Sequence, residues 1–185
     1  MINRKNFFDS IRPLFGTKIS QSQVSGMETI LKEWEDRNLQ DNRWLAYMLA
    51  TTFHETARTM KPIEEFGKGK GRPYGKKDPQ TGQAYYGRGF VQLTWKANYK
   101  TMGDLLEINL VNDPSLALEL EIATQIMFEG MMKGKSFRGD FTGKSLEQYF
   151  SNTVDDPVNA RRIINGLDRA VTIAGYHRKF LEAIG

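Results

Sequence analysis

At 185 residues the chain is long enough to bury a proper core and short enough to form one domain, and 39% hydrophobic with 26% charged residues excludes a disordered chain. It contains no cysteine, which excludes a disulfide framework and a thiolate metal site. A net charge of +4 and a sequence pI near 9.2 favour polyanionic partners: nucleic acid, anionic lipid or an acidic cell-wall polymer.

The N-terminal stretch MINRKNFFDSIRPLFG has no apolar core of signal-peptide length, and no run approaches the ~18 apolar residues of a membrane span. The expectation is a chain made soluble that does not enter the standard secretion route by its own sequence. Ser20 with Gln23 three residues on resembles a capping box. Behind it Val24, Met27, Leu31 and Trp34 recur at helical spacing, predicting a helix to about Asn38. A second helix is predicted from about Asn42 to Thr59, with Leu45, Met48, Leu49 and Phe53 apolar. Glu55 shares the face of Met48 and Thr52 near its C-terminal end, where a carboxylate can sit at the edge of a core.

From Phe66 to Ala84 the glycine-rich FGKGKGRPYGKKDPQTGQA reads as loop, longer than a bare connector needs to be. It carries Lys68, Lys70, Arg72, Lys76 and Lys77 against one acid, Asp78. In the AYYGRGFVQLTWKANY that follows, the paired tyrosines and GRG predict a tight turn, with Phe90 to Trp95 extended or a short helix. Asp113-Pro114 signals a helix start. Leu116, Leu120, Ala123, Met127 and Met131 then form the stripe of a long helix ending near Gly134. Asp156-Pro157 repeats the start signal, and Asn165-Gly166 stops that helix. A last helix begins near Asp168, with Ala170, Ala174, His177, Leu181 and Ile184 at helical spacing. The expected architecture is a mainly α single domain over residues 1–185 with at most a small β hairpin.

Three chemistries fail on spacing. A zincin needs HExxH, but Arg58 stands four residues after His54, and His177 is the only other histidine. Gly143-Lys144-Ser145 lacks the leading glycine of a phosphate loop, since Arg138 occupies that position and Gly139 is one residue off. No GxSxG elbow is present. The charge allows DNA binding, yet no helix is strongly basic. What survives is a pair of carboxylates for glycosidic cleavage, one acid donating to the leaving oxygen and one carboxylate acting on water or carbon. Glu55, on an apolar helical face, suits the acid; Glu64 or Glu65, in a polar glycine-rich neighbourhood, suits the base.

HET at 54–56, MKPIEE at 60–65, YYGRGFVQLTWKANY at 85–99 and IING at 163–166 resemble family-19 glycoside hydrolases. Within the family they are most similar to the small endolysins of phages and prophages of Gram-negative bacteria. The resemblance implies a lysozyme-like, two-lobed domain that hydrolyses peptidoglycan glycan strands with inversion and needs no cofactor. It makes Glu55 the general acid, Glu65 the base (with Glu64 the neighbouring candidate) and Thr94 the hydroxyl that positions the attacking water. Inversion implies carboxyls roughly 6.5–9.5 Å apart. Gln92, Asn98, Tyr86, Trp95 and Asn165 would line the sugar cleft, although Tyr86 and Trp95 could equally be core, and Asn165 a plain helix cap. His54 reads as packing beside Glu55. The chain departs from the family's chitinases in lacking an arginine near Thr172 or Ile173; Arg169 and Arg178 are the nearest. A chitinase, or a non-catalytic cationic wall- or nucleic-acid-binding module, stands as the alternative. The resemblance, with the missing signal, implies a chain made in the host cytoplasm and released to the periplasmic wall through a holin-type pore; a monomer without nucleic-acid partners is expected, with the basic loop (Lys68, Lys70, Arg72, Lys76 and Lys77) in electrostatic contact with the anionic envelope.

Overall fold

The computed structural model describes residues 1–133 and 142–185. The expected helix end at Gly134, and Arg138 and Gly139, lie outside the described residues. Within them are six α-helices and one two-stranded ribbon: α1 (Arg4–Phe15), α2 (Gln21–Asp36), α3 (Asn42–Glu55), β1 (Ile63–Glu64), β2 (Arg88–Gly89), α4 (Lys96–Leu106), α5 (Leu120–Lys133) and α6 (Ala170–Ile184). The mainly α class and the single small hairpin are as the sequence predicts. None of these helices is long and apolar enough to cross a membrane.

The core is built around α3, where every residue from Leu45 to Phe53 is buried. A helix apolar on all sides has to be surrounded, and α1, α2, α5 and α6 supply the walls. Phe53 meets Phe15 and Tyr176 edge-on, with ring centroids 5.0 and 4.8 Å apart, and Phe180 at 6.0 Å. Each such large side chain taken out of water contributes about 1.5–3 kcal/mol. The Ser20–Gln23 capping box forms in full, the Gln23 N–H donating to Ser20 Oγ and the Ser20 N–H to Gln23 Oε1.

Helix α3 stops four residues short of the predicted end. The Thr56 hydroxyl donates to the Thr52 carbonyl and accepts the Met60 N–H, and the Arg58 N–H turns back to the Phe53 carbonyl. Ala57, Arg58 and Met60 all take positive φ. The chain therefore unwinds immediately behind Glu55 and runs through Pro62 into β1. Gly26 of α2 makes room for this turn, since a Cβ there would fall 1.9 Å from the Met60 carbonyl oxygen.

Two further start signals produce short 3₁₀ turns in place of α-helices. Asp113 caps residues 114–118 by accepting the Ser115 N–H, but Glu119 is extended and α5 begins only at Leu120. The turn packs on the hairpin: a Cβ at Gly89 would lie 3.0 Å from the Ala117 carbonyl oxygen. Asp156 accepts the Asn159 N–H at the head of Asn159–Ile163, also 3₁₀. Helices α1 and α4 had no prediction; α1 contains Pro13, and α4 starts from Trp95 with no side-chain cap.

Candidate active site

Glu55 is the last residue of α3, and its side chain is 17% exposed. Its Oε1 accepts from Nη1 of Arg161 at 2.5 Å, an ion pair bridging 106 residues of sequence. Arg161 lies in the Asn159–Ile163 turn with its side chain only 3% exposed, and its Nε donates to the Asp168 carbonyl at 3.0 Å. The guanidinium is thus fixed on two sides and directed at one carboxyl oxygen. Beside this pair His54 is half-buried; burial pushes its imidazole below the usual range, with the Glu55 carboxylate opposing.

The other carboxylates come from the ribbon. Ile63 pairs with Gly89 and Glu64 with Arg88 in antiparallel register, so Glu64 and Glu65 side chains diverge. Glu64 accepts from the Tyr86 hydroxyl at 2.5 Å and pairs with Lys68 at 2.8 Å, while Nε of the buried Arg88 lies 3.8 Å away. The Lys68 and Tyr86 hydrogen bonds hold its carboxyl below the usual carboxylate range. Arg88 covers the Tyr86 ring at 3.6 Å and donates to the Ala84 carbonyl and the Tyr99 hydroxyl. Glu64 is therefore committed to neutralising a buried arginine.

Glu65 has different surroundings. The Tyr74 hydroxyl donates to its Oε1 at 3.0 Å and the Gly87 N–H to its Oε2 at 3.1 Å, while its own N–H donates to the Gly87 carbonyl at 2.7 Å. Among the described residues Glu55 and Glu65 share no hydrogen-bond partner, and residues 56–64 separate them along the chain. Each is a carboxylate held by its own donors.

The residues expected to line a sugar cleft divide. Gln92, at φ 57°, donates through Nε2 to the Ile63 carbonyl at 3.1 Å and the Gly89 carbonyl at 3.3 Å, bracing the ribbon from behind. Asn98 is 1% exposed and donates to the Thr94 carbonyl, and Tyr86 is 8% exposed beneath Arg88. Asn98 and Tyr86 are both buried residues. Thr94, half-buried, donates its hydroxyl to the Gln92 carbonyl at 2.7 Å. Trp95 is 43% exposed and meets Tyr74 edge-on at 5.2 Å. Asn165 is exposed, its N–H on the Arg161 carbonyl at 2.9 Å, which ties it to the Glu55 partner.

Sequence reasoning missed Arg161 and Tyr74. Arginine was sought in the last helix, whereas the one that reaches Glu55 precedes IING by two residues. Tyr74 stands inside a loop whose glycine content, length and charge carry no signal for a single tyrosine.

A family model described as chitinase class I, glycoside hydrolase family 19, matches residues 35–132. An endochitinase of Arabidopsis thaliana (At2g43620) is 35% identical over 91 residues, which is 49% of this chain and 31% of that protein. The acidic endochitinase of Petunia hybrida is 37% identical over 73 residues, 39% and 28% of the respective chains. The matches thus span less than a third of these relatives. Among solved structures, chitinase C from Streptomyces griseus HUT6037 superposes with a TM-score of 0.61 at 23% identity, over 100% of this chain and 92% of that one. The class IV family-19 chitinase of Zea mays does so with 0.62 at 20% identity, over 96% and 90%. At such identity the structural likeness speaks for the fold; the family model, matching just over half the chain and including HET, KPIEE and the YYGRG block, speaks for descent, and the chain belongs to glycoside hydrolase family 19.

Proposed function

We propose that the protein is an endolysin that hydrolyses the glycosidic bonds of bacterial peptidoglycan by an inverting acid–base mechanism. The observation that carries the reaction type is the pair of independently held carboxylates. Arg161 occupies Oε1 of Glu55 and leaves Oε2 without a hydrogen bond among the described residues, so Oε2 can carry the proton delivered to the leaving oxygen. Arg161 is then in contact with the carboxylate that remains. Glu65, oriented through both oxygens, receives a proton from the attacking water, and Thr94 helps to orient that water.

Charge favours an acidic polymer over neutral chitin. Of the five cations between Phe66 and Ala84, Lys68 is paired with Glu64, and the acid Asp78 is held by Lys96. Lys70, Arg72, Lys76 and Lys77 are exposed and make no ion pair among the described residues, and they stand in the loop that delivers Tyr74 to Glu65. Stem peptides of peptidoglycan carry carboxylates; chitin carries none. The second reading, a chitinase acting on chitin oligomers, is favoured by the similarity to endochitinases. We place the action at the periplasmic wall, reached through a holin-type pore.

Turbidity loss of intact cell walls, run beside release from chitin oligomers, tests the proposal. Wild type should clear walls, and Glu55→Gln should lose about 10²–10⁴-fold. Clearing of chitin alone would establish the second reading, and a Glu55→Gln rate within twofold of wild type would remove Glu55 from catalysis. Neutralising Lys70, Arg72 and Lys76 should slow wall lysis and flatten its salt dependence, because exposed contacts are screened over about 8 Å at 0.15 M salt. A short soluble oligosaccharide should be cut as before.

A further inference from the structure

We propose that Tyr74 is a positioning residue for Glu65: its phenol fixes the plane of the carboxylate, so that the glycine-rich loop is part of the proton-accepting machinery. The inference rests on the reading of Glu65 as base given above.

A glutamate's terminal torsion is broad and close to two-fold, so a carboxylate bonded through one oxygen can still swing. Glu65 is bonded through both. Gly87 N–H reaches Oε2 from the ribbon side, and Tyr74 Oη reaches Oε1 from the loop side. Two donors on separate oxygens define the plane and direct the remaining lone pairs at a fixed place, which a base needs when it must meet a water in a set position. The ribbon-side donor depends on glycine, since a Cβ at Gly87 would lie 2.9 Å from Gln92 Oε1 and 3.3 Å from Glu65 Cβ.

The loop-side donor is itself unusually well fixed for a residue in a glycine-rich segment. Tyr74 is the middle residue of the 3₁₀ turn Pro73–Gly75. The turn is pressed against the loop's own start, because a Cβ at Gly75 would fall 2.0 Å from the Gly69 carbonyl oxygen. The Tyr85 N–H donates to the Tyr74 carbonyl at 3.0 Å, and the Trp95 N–H to the Tyr85 carbonyl at 2.8 Å. The Trp95 ring stands edge-on to the Tyr74 ring at 5.2 Å. Main chain and ring are therefore both held, and the hydroxyl they present ends on the carboxylate. A loop serving only to display charge would need none of this.

Tyr74→Phe tests the inference, because it keeps the ring and its contact with Trp95 and deletes only the hydroxyl. On whichever glycan polymer the wild type cuts, kcat should fall about tenfold, in line with the ~1.4 kcal/mol of one charge-assisted hydrogen bond, with KM within twofold and the melting temperature unchanged. In a Glu65→Gln background the same substitution should leave the residual rate unaltered, a non-additivity that a purely structural role would not produce. Wild-type kcat in Tyr74→Phe, while Glu65→Gln is inactive, would overturn the positioning role and leave Glu65 as base. Full activity in Glu65→Gln would overturn both together.

Discussion

Replacing Arg161 by Met asks the most of the described geometry. The guanidinium is 3% exposed and satisfied by Glu55 and by the Asp168 carbonyl. Removing one partner from a fully buried ion pair costs about 3–5 kcal/mol. Glu55, however, is 17% exposed, so water can reach part of its carboxylate, and Asp168 is exposed, so its carbonyl can be rehydrated. The methionine side chain also restores some apolar packing. These discounts bring the expected loss to about 2–3 kcal/mol, or roughly 5–10 °C in melting temperature for a chain of this length. Urea unfolding followed by circular dichroism should be run as a cycle with Glu55→Gln, which by the same logic is not neutral because it leaves the buried guanidinium facing an amide. If the pair carries the energy, Arg161→Met should cost at least about 1 kcal/mol less in the Glu55→Gln background. An equal cost in both backgrounds would refute the reasoning and place the role of Arg161 in its contact with Asp168.

The two ribbon glutamates should separate stability from activity. Glu64→Gln weakens the compensation of the buried Arg88 and should cost about 1–2 kcal/mol with wall lysis retained within a fewfold, whereas Glu65→Gln should keep the melting temperature and lose about 10²-fold or more in rate; the reverse pattern would make Glu64 the base. His177 should confer part of the acid sensitivity. It is 2% exposed between the rings of Phe150 and Tyr47, and burial pushes its imidazole below the usual range against the opposing pull of Asp155 and Asp41. The unfolded chain then takes up the proton first, so stability is fully present above about pH 6.5 and declines as pH falls through the lower folded value. Wild type should lose more between pH 7.5 and 5.0, by urea midpoints, than His177→Phe, in which only the half-buried His54 still contributes such a term; equal losses would clear His177 of the effect.

What the sequence disclosed follows from the range of the interactions. The Ser20–Gln23 box is complete within four residues and forms as read. The apolar run of α3 and the stripe of α6 announce their burial through periodicity alone. The start signals at Asp113 and Asp156 were local as well, and both side chains do cap. What they cannot convey is how far the helix continues, which the Gly89–Ala117 contact helps to set from another part of the chain. Helix α4 escaped notice because the residue before it is a tryptophan at φ 74°, a start that local chemistry does not predict. At the site, HET and KPIEE marked the carboxylates, while their partners lay at separations of 106 and 9 residues with no shared motif. Tyr86 and Asn98 drew attention through their motif, and both are buried, with Tyr86 bonded to Glu64 of the ribbon and Asn98 to the Thr94 carbonyl.

The turn behind Glu55 sets a gauge length. Between the end of α3 and the start of β1 the main chain passes through Thr56, whose hydroxyl bonds both ways, and through three non-glycine residues at positive φ, the last of which, Met60, is seated against Gly26 of a neighbouring helix. A side chain can be lengthened or shortened by a methylene without disturbing such a segment, but the segment itself has little freedom to stretch. The spacing of Glu55 and Glu65 thus depends on backbone outside both side chains, and inserting one residue between Thr56 and Pro62 would alter it while leaving every proposed catalytic atom present.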